Sequence, residues 1–395
     1  MPGKMVLYAS VGAELTQYDV DVAAATLTRR GSVGLPANVQ YVWPHASRRF
    51  LYAATSDGAS GMGLAGRRHH VSAFRIDPDT GALALHGEPI ALPSRPIHMA
   101  TDIRSEHILV AFNNPGAIRV YRINPDNTPG ADVVQPGPID PGIFPHQVLP
   151  TPDGRQVILV SRGHDPSAGQ PEQPGSLHLF DFHAGVLSHQ AVIAPDGGYG
   201  FGPRHLDFHP SMPWVYVSLE RENRLDVFEL SHGVLLPTPR FRQTTLANPE
   251  PGPGRQMVGT VHVHPNGRNV YVANRANDTT EVAGQQVFVG GENSLAVFAI
   301  DSASGEPTLI QHIDTHGIHP RTFHIDPSGR LMVVAHIMSL KIHDGDAIRD
   351  VPARLSLFRI LPGGRLEFAR AYDVDVGERT MWWMGMMELP ANQGA

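Results

Sequence analysis

The chain has no cysteine, which excludes disulfides, thiolate nucleophiles and thiolate-held metals and leaves reducing and oxidising compartments both open. Aromatic residues are scarce at 7%. No apolar run approaches the roughly 20 residues that cross a bilayer as a helix, and no long helical period is present, so no membrane partner is expected. Positive charge is not in excess: the formal net charge is −7, which offers no basic stripe for nucleic acid. The stretch MPGKMVLYAS lacks the continuous apolar core of a secretory signal and enters a strand almost at once, so the cytoplasm is the expected compartment.

What the chain has in abundance is turns, with Gly 40 and Pro 35 among 395 residues. Aligned on a proline in a tight turn, a module of about sixty residues recurs. Pro145-His146 leads to Pro152-Asp153-Gly154 and Val157–Val160, and Pro203-Arg204 leads to Pro210 and Trp214–Ser218. Met257–Gly259 leads to Pro265-Asn266-Gly267 and Val270–Ala273, and Pro320-Arg321 leads to Pro327-Ser328-Gly329 and Leu331–Ala335. Fainter copies surround Ile97–Asp102 and Asn38–Pro44. Each copy reads as a hairpin followed by a third and a fourth β-rich run. Four antiparallel strands at this spacing make one propeller blade.

Six copies are complete. A seventh is assembled from the C-terminal run Trp382–Leu389 as first strand and the N-terminal runs Val6–Ala9 and Leu15–Val20 as second and third. Joining the two ends in one blade closes the ring and removes open sheet edges. The expected fold is all-β, a single seven-bladed propeller over residues 1–395, monomer or homodimer.

In a hairpin, the start of the first strand and the end of the second lie side by side, so these positions share one rim near the axis. Six residues before the turn proline stand His146, Arg204, Gly259 and Arg321; ten after it stand Arg162, Glu220 and Arg275, with His336 one place earlier in the last copy. Arginines, a histidine and a glutamate around one funnel are suited to pinning an anion and moving protons. Solvated rim charge is the competing reading for each residue alone. His205 and Asn274 adjoin these positions, and His319, with His316, precedes Arg321 in a loop that reaches the same funnel. His262 and His264 share a strand face, as metal ligands do, but His264 aligns with the turn position of His209, and no metal is expected. His69, His70, His164 and His343 are expected in exposed loops, and the enlarged connections 56–70, 163–175, 276–291 and 337–352 rise from the charged rim as shapers of the substrate site.

The segments Gly202-Pro203-Arg204-His205-Leu206-Asp207-Phe208-His209-Pro210, Val215–Glu220, Tyr271–Arg275 and Ser294–Phe298 resemble the seven-bladed propeller lactonases. That family includes a bacterial type of 6-phosphogluconolactonase and the fungal carboxy-muconate lactonizing enzyme. The resemblance spans nearly the whole chain. It implies opening or closing of an acidic lactone without a cofactor, and places the family's histidine, two arginines and glutamate on His146, Arg204, Arg275 and Glu220. His205, Arg321, Arg162, Asn274, His336 and His319 complete the expected substrate-binding set. His146 or Glu220 is the base, with His146 preferred. A phosphorylated sugar lactone, an aldono- or uronolactone and a muconate-type substrate all fit, as does, from another class, a propeller that binds small anions or a protein without catalysis. The chain departs from the family in a short first blade, in Ala335-His336-Ile337-Met338 where an Asn and a polar partner are usual, and in the Met- and Trp-rich run 380–387, which is expected to pack the closing blade and the axis.

Overall fold

The second strand of each repeat is apolar on both faces: Ile108–Phe112, Val157–Val160, Val215–Val217, Val270–Ala273 and Leu331–Ala335 are all buried. A strand buried on both faces must lie inside a stack of sheets rather than on one side of a sandwich. The computed structural model, which describes residues 3–58, 66–167, 169–250, 252–345 and 347–391, has that arrangement. Seven sheets stand around an axis, and the seven apolar clusters each join residues of two neighbouring blades, closing the ring.

The closing blade pairs Met384–Glu388 with Met5–Val11, which pairs Glu14–Asp21 and then Thr26–Gly34. This is the joining of chain ends expected from the sequence. Blade 1, expected to be short, has four full strands, Asn38–Pro44, Phe50–Ser56, His69–Ile76 and Leu83–Ala91. The outermost strands of blade 2, Pro129–Asp132, and of blade 4, Phe241–Thr244, are reduced.

Neighbouring blades are latched by polar contacts that recur with the repeat. The second-strand hydroxyl of Tyr8, Tyr52, Tyr216 and Tyr271 each donates to a turn carbonyl of the next blade: Gly81, Asn127, Gly305 and Gly364, at 2.6 to 3.0 Å. Gln156 of blade 3 does the same to Gly233. Each bond satisfies a buried polar tip that would otherwise cost about 1–3 kcal/mol.

Two of the expected loops are not irregular. Thr279–Val282 and Gln285–Phe288 form one hairpin, Leu340–Asp344 and Ala347–Val351 another, and the two pair in parallel at Val287↔Lys341 into an extra four-stranded sheet. The middle of the expected loop 56–70, residues 59–65, lies outside the described residues, as do single positions 168 and 346 in two others. His69 and His70 open the strand His69–Ile76 instead of a loop, with His69 buried and its Nδ1 2.9 Å from Ser56 Oγ.

Candidate active site

An irregularity shared by the blades builds the site. In blade 4, Pro203 pairs with Leu219 but His205 with Ser218, so Arg204 is an extra residue on the first strand. The same slip occurs at Gln40, Ile97, His146 and Arg321, and across Gly259-Thr260 in blade 5. A β-bulge re-aims a side chain out of the regular alternation. Here it frees one position in each of six blades from packing between sheets, and at this position His146 and Arg321 border a cavity of about 1000 Å³.

At the floor of that cavity Glu220 is held by three guanidinium groups. Arg162 Nε bonds one carboxylate oxygen and Arg275 Nη2 the other, while Arg204 Nε lies 3.2 Å from Oε1. Burial by itself would raise the Glu220 carboxyl, but Arg162, Arg275 and Arg204 outweigh it and hold the group well below the usual carboxylate range. Glu220 is therefore ionised at neutral pH and has no proton to give.

His146 is buried, and its Nδ1 has no hydrogen-bond partner. Burial and then the nearby Arg204 charge push its pKa well below the ordinary histidine value, so the imidazole is neutral. Arg321 Nε donates to the Trp382 carbonyl at 3.1 Å, and its guanidinium carbon stacks 3.5 Å from the centre of the Trp382 ring. Trp382, in the run expected to pack the closing blade and the axis, thus also supports Arg321. Among the described residues Arg321 has no carboxylate within ion-pairing distance. Burial, with Arg204 and Arg275 nearby, depresses its pKa. A guanidinium does not give up its proton in proteins, so Arg321 stands charged and buried.

His319 also reaches the cavity, its Nε2 accepting from Arg275 Nη1 at 2.9 Å. Four expected site residues do not line the cavity. Arg204 is 1% exposed and lies beneath Glu220, buttressing it. His205 stands one layer further down the axis, 5.3 Å from His146 between ring centres. Asn274 is turned outward, donating to the Thr245 carbonyl and Ser294 Oγ, because regular alternation at the strand end points it away from the axis. His336 is buried against Gly317 and bonds the Arg354 carbonyl through Nδ1 at 3.1 Å; its one-place offset from the other repeats puts it on the wrong face. His316 packs outward on Phe368 at 3.8 Å.

Other wall residues were not anticipated. Asp165 bonds Arg162 Nη2 at 3.0 Å and Arg255 by a short contact, tying the connection between the second and third strands of blade 3 to the segment before blade 5. His164, expected to be an exposed loop residue, lines the cavity with them. Neither Asp165 nor Arg255 occupies a repeat position, so periodicity carries no signal for them. His262 and His264 do not face a common ion, since His264 Nε2 bonds the Gly329 carbonyl at 2.9 Å in the turn.

A sequence model of the family described as "Lactonase, 7-bladed beta-propeller" matches residues 7–343. The chain belongs to that family. Among its relatives, the 6-phosphogluconolactonase of Bacillus subtilis is 26% identical over 345 residues, 85% of this chain and 87% of that protein. The 6-phosphogluconolactonase of Klebsiella pneumoniae is 26% identical over 316 residues, 79% and 82% of the two chains. In fold, the periplasmic gluconolactonase of Pseudomonas aeruginosa superposes with a TM-score of 0.73 at 20% identity, covering 98% of this chain and 99% of its own. The expectation of a lactonase thus stands, and so does the propeller. Among the described residues no helix of this lactonase-family protein is long and apolar enough to cross a membrane.

Proposed function

We propose that the protein hydrolyses a sugar lactone carrying one anionic group, with 6-phosphogluconolactone the leading substrate, and that His146, Arg275 and Arg321 are the residues that meet it. The observation that carries this reading is the buried Arg321 guanidinium, without a carboxylate partner, on the same cavity wall as a neutral, unpartnered His146. Arg321 binds the substrate anion or the developing oxyanion, and Arg275, held in place by Glu220 and His319, supplies a second donor.

In this reading His146 takes a proton from water as the water oxygen bonds to the lactone carbonyl carbon. The tetrahedral intermediate then expels the ring oxygen, which receives the proton back from His146, and the acid product ionises to a carboxylate. Glu220 takes no proton. It neutralises part of the charge of three arginines and fixes their geometry, with Arg204 and Arg162 as its supports. A muconate-type substrate with several carboxylates is less well matched, because the other arginines of the wall, Arg162, Arg255 and Arg275, already face Glu220 or Asp165. All these groups come from one chain, so the reading holds for a monomer or a homodimer, and in the cytoplasm or outside it.

The test is a panel of 6-phosphogluconolactone, an aldonolactone, a uronolactone and muconolactone, each followed by acid release with wild type, His146→Gln and Arg321→Ala. Turnover of an anionic sugar lactone, lost in both variants, is the expected result; wild-type rates equal to the uncatalysed ones for the whole panel would falsify it.

A further inference from the structure

Beyond the active site, the axis has a second end. Asp207, His262 and His324 each stand three residues before the turn proline of their blades, Pro210, Pro265 and Pro327. They therefore occupy one register position in three consecutive first strands, at the end away from Glu220. The equivalent residue of blade 3 is Leu149, so a polar residue there is not a requirement of the fold. His262 and His324 border a cavity of about 180 Å³ that is also lined by Trp43, His205, Thr322 and Met386.

The arrangement of these groups is that of a ligand set without its ligand. Asp207 Oδ2 accepts from the Val263 backbone N–H at 2.8 Å and faces His262 Nδ1 at 3.3 Å. This places the proton on Nδ1 and leaves Nε2 with its lone pair, the tautomer that a carboxylate imposes on a metal-bound imidazole. The His262 and His324 rings are 5.8 Å apart at 60°. At a zinc–nitrogen distance of about 2.1 Å and tetrahedral angles, two bound imidazoles have ring centres roughly 5 Å apart, within reach of small side-chain rotations. His324 Nδ1 and Thr322 Oγ1, on the same face of one strand, are both buried without a hydrogen-bond partner. The pairing is across blades, whereas His264 of the same strand is engaged by the Gly329 carbonyl. A tighter cluster, Asp102 with Glu106 and His107, carries no such argument: Asp102 is already saturated by the backbone N–H groups of Glu106 and His107 and by the His107 ring.

We propose that this end of the axial channel binds a divalent transition-metal ion of the imidazole-preferring kind, such as Zn²⁺, through His262 and His324, with water completing the shell and Asp207 orienting His262. The site is independent of the hydrolytic reading. Calorimetric titration of chelator-treated protein with zinc sulfate is expected to show one ion per chain. His262→Gln and His324→Gln each weaken binding by about 100-fold and Asp207→Asn by about 10-fold, whereas His183→Gln, an exposed histidine of blade 3, changes nothing. Full binding by the His262→Gln/His324→Gln double variant, or no heat up to millimolar zinc, overturns the proposal. X-ray absorption of the zinc-loaded wild type keeps the test decisive should a variant fail to fold: scattering from two imidazoles is expected, and an oxygen-only shell overturns it. Lactone hydrolysis by the single variants is expected at the wild-type rate, so loss of metal binding and loss of turnover are separable results.

Discussion

At one end of the axis the first strands open with a bulge and present His146, Arg204 and Arg321; at the other the same strands run in regular alternation and present Trp43, Asp207, His262 and His324. Residues six and three places before one proline thus have opposite surroundings. At the bulged end arginine charge is concentrated around one carboxylate, and for Glu220 those arginines outweigh the effect of burial. At the regular end no guanidinium lines the cavity among the described residues, and the His324 imidazole is lowered by burial. A single inserted residue in the first strand of six blades separates an arginine-rich cavity from one bordered by imidazoles.

The comparison breaks most completely at Glu220. Glu220→Gln leaves Arg162, Arg204 and Arg275 buried together without their shared counter-charge. Stability in urea is expected to drop by about 3–5 kcal/mol, and turnover to vanish with the arginine geometry; a fully stable and active variant would count against an anchoring carboxylate. Next in size, His146→Gln is expected to lower kcat for the best lactone by about 10³-fold with little change in KM, the range of a lost general base. Arg321→Lys, which keeps the charge but loses the planar fork over Trp382, should cost about 10²-fold in kcat/KM, and equal activity would show that charge alone suffices there.

A smaller effect sharpens the contrast through pH. Both ends hold histidines depressed by burial: His324 is lowered to about 4 and, outside the axis, His336 to about 3. Between those values and the unfolded value of 6.5, the unfolded chain binds protons that the folded chain does not. Stability therefore rises with pH in that window, by about 1.4 kcal/mol per unit for each such group, and is lost on acidification. Unfolding curves from pH 7 to pH 4 should show this slope, while the hydrolytic rate should hold flat through the ordinary histidine range because His146 stays neutral. At the regular end, metal-free Thr322→Val replaces an unpartnered hydroxyl with a methyl group. It is expected to alter stability by less than about 1 kcal/mol, with activity unchanged.

The propeller was legible because its information is periodic. Proline turns, β-rich runs and a doubly apolar second strand recur at one spacing, and the two chain ends carry complementary fragments of a blade. The arginines and the histidine of the rim were legible for the same reason, since they sit at repeat positions. Asn274 and His336 share that neighbourhood in sequence but face away, and no count of residues shows which way a strand end turns.

What the amino-acid order determined by itself is the repeat, and through it the ring, the family and a short list of rim residues. What only the tertiary structure decided is the direction of each side chain and the company it keeps. The bulges that aim His146 and Arg321 depend on register against a partner strand. The ionised state of Glu220 depends on arginines contributed by three different blades, and the pairing of His262 with His324 crosses from one blade to the next. Local pattern sets strands because a strand's needs are met within a few residues. Charge states and ligand sets are sums over neighbours far apart in the chain, and they exist only once the ring has closed.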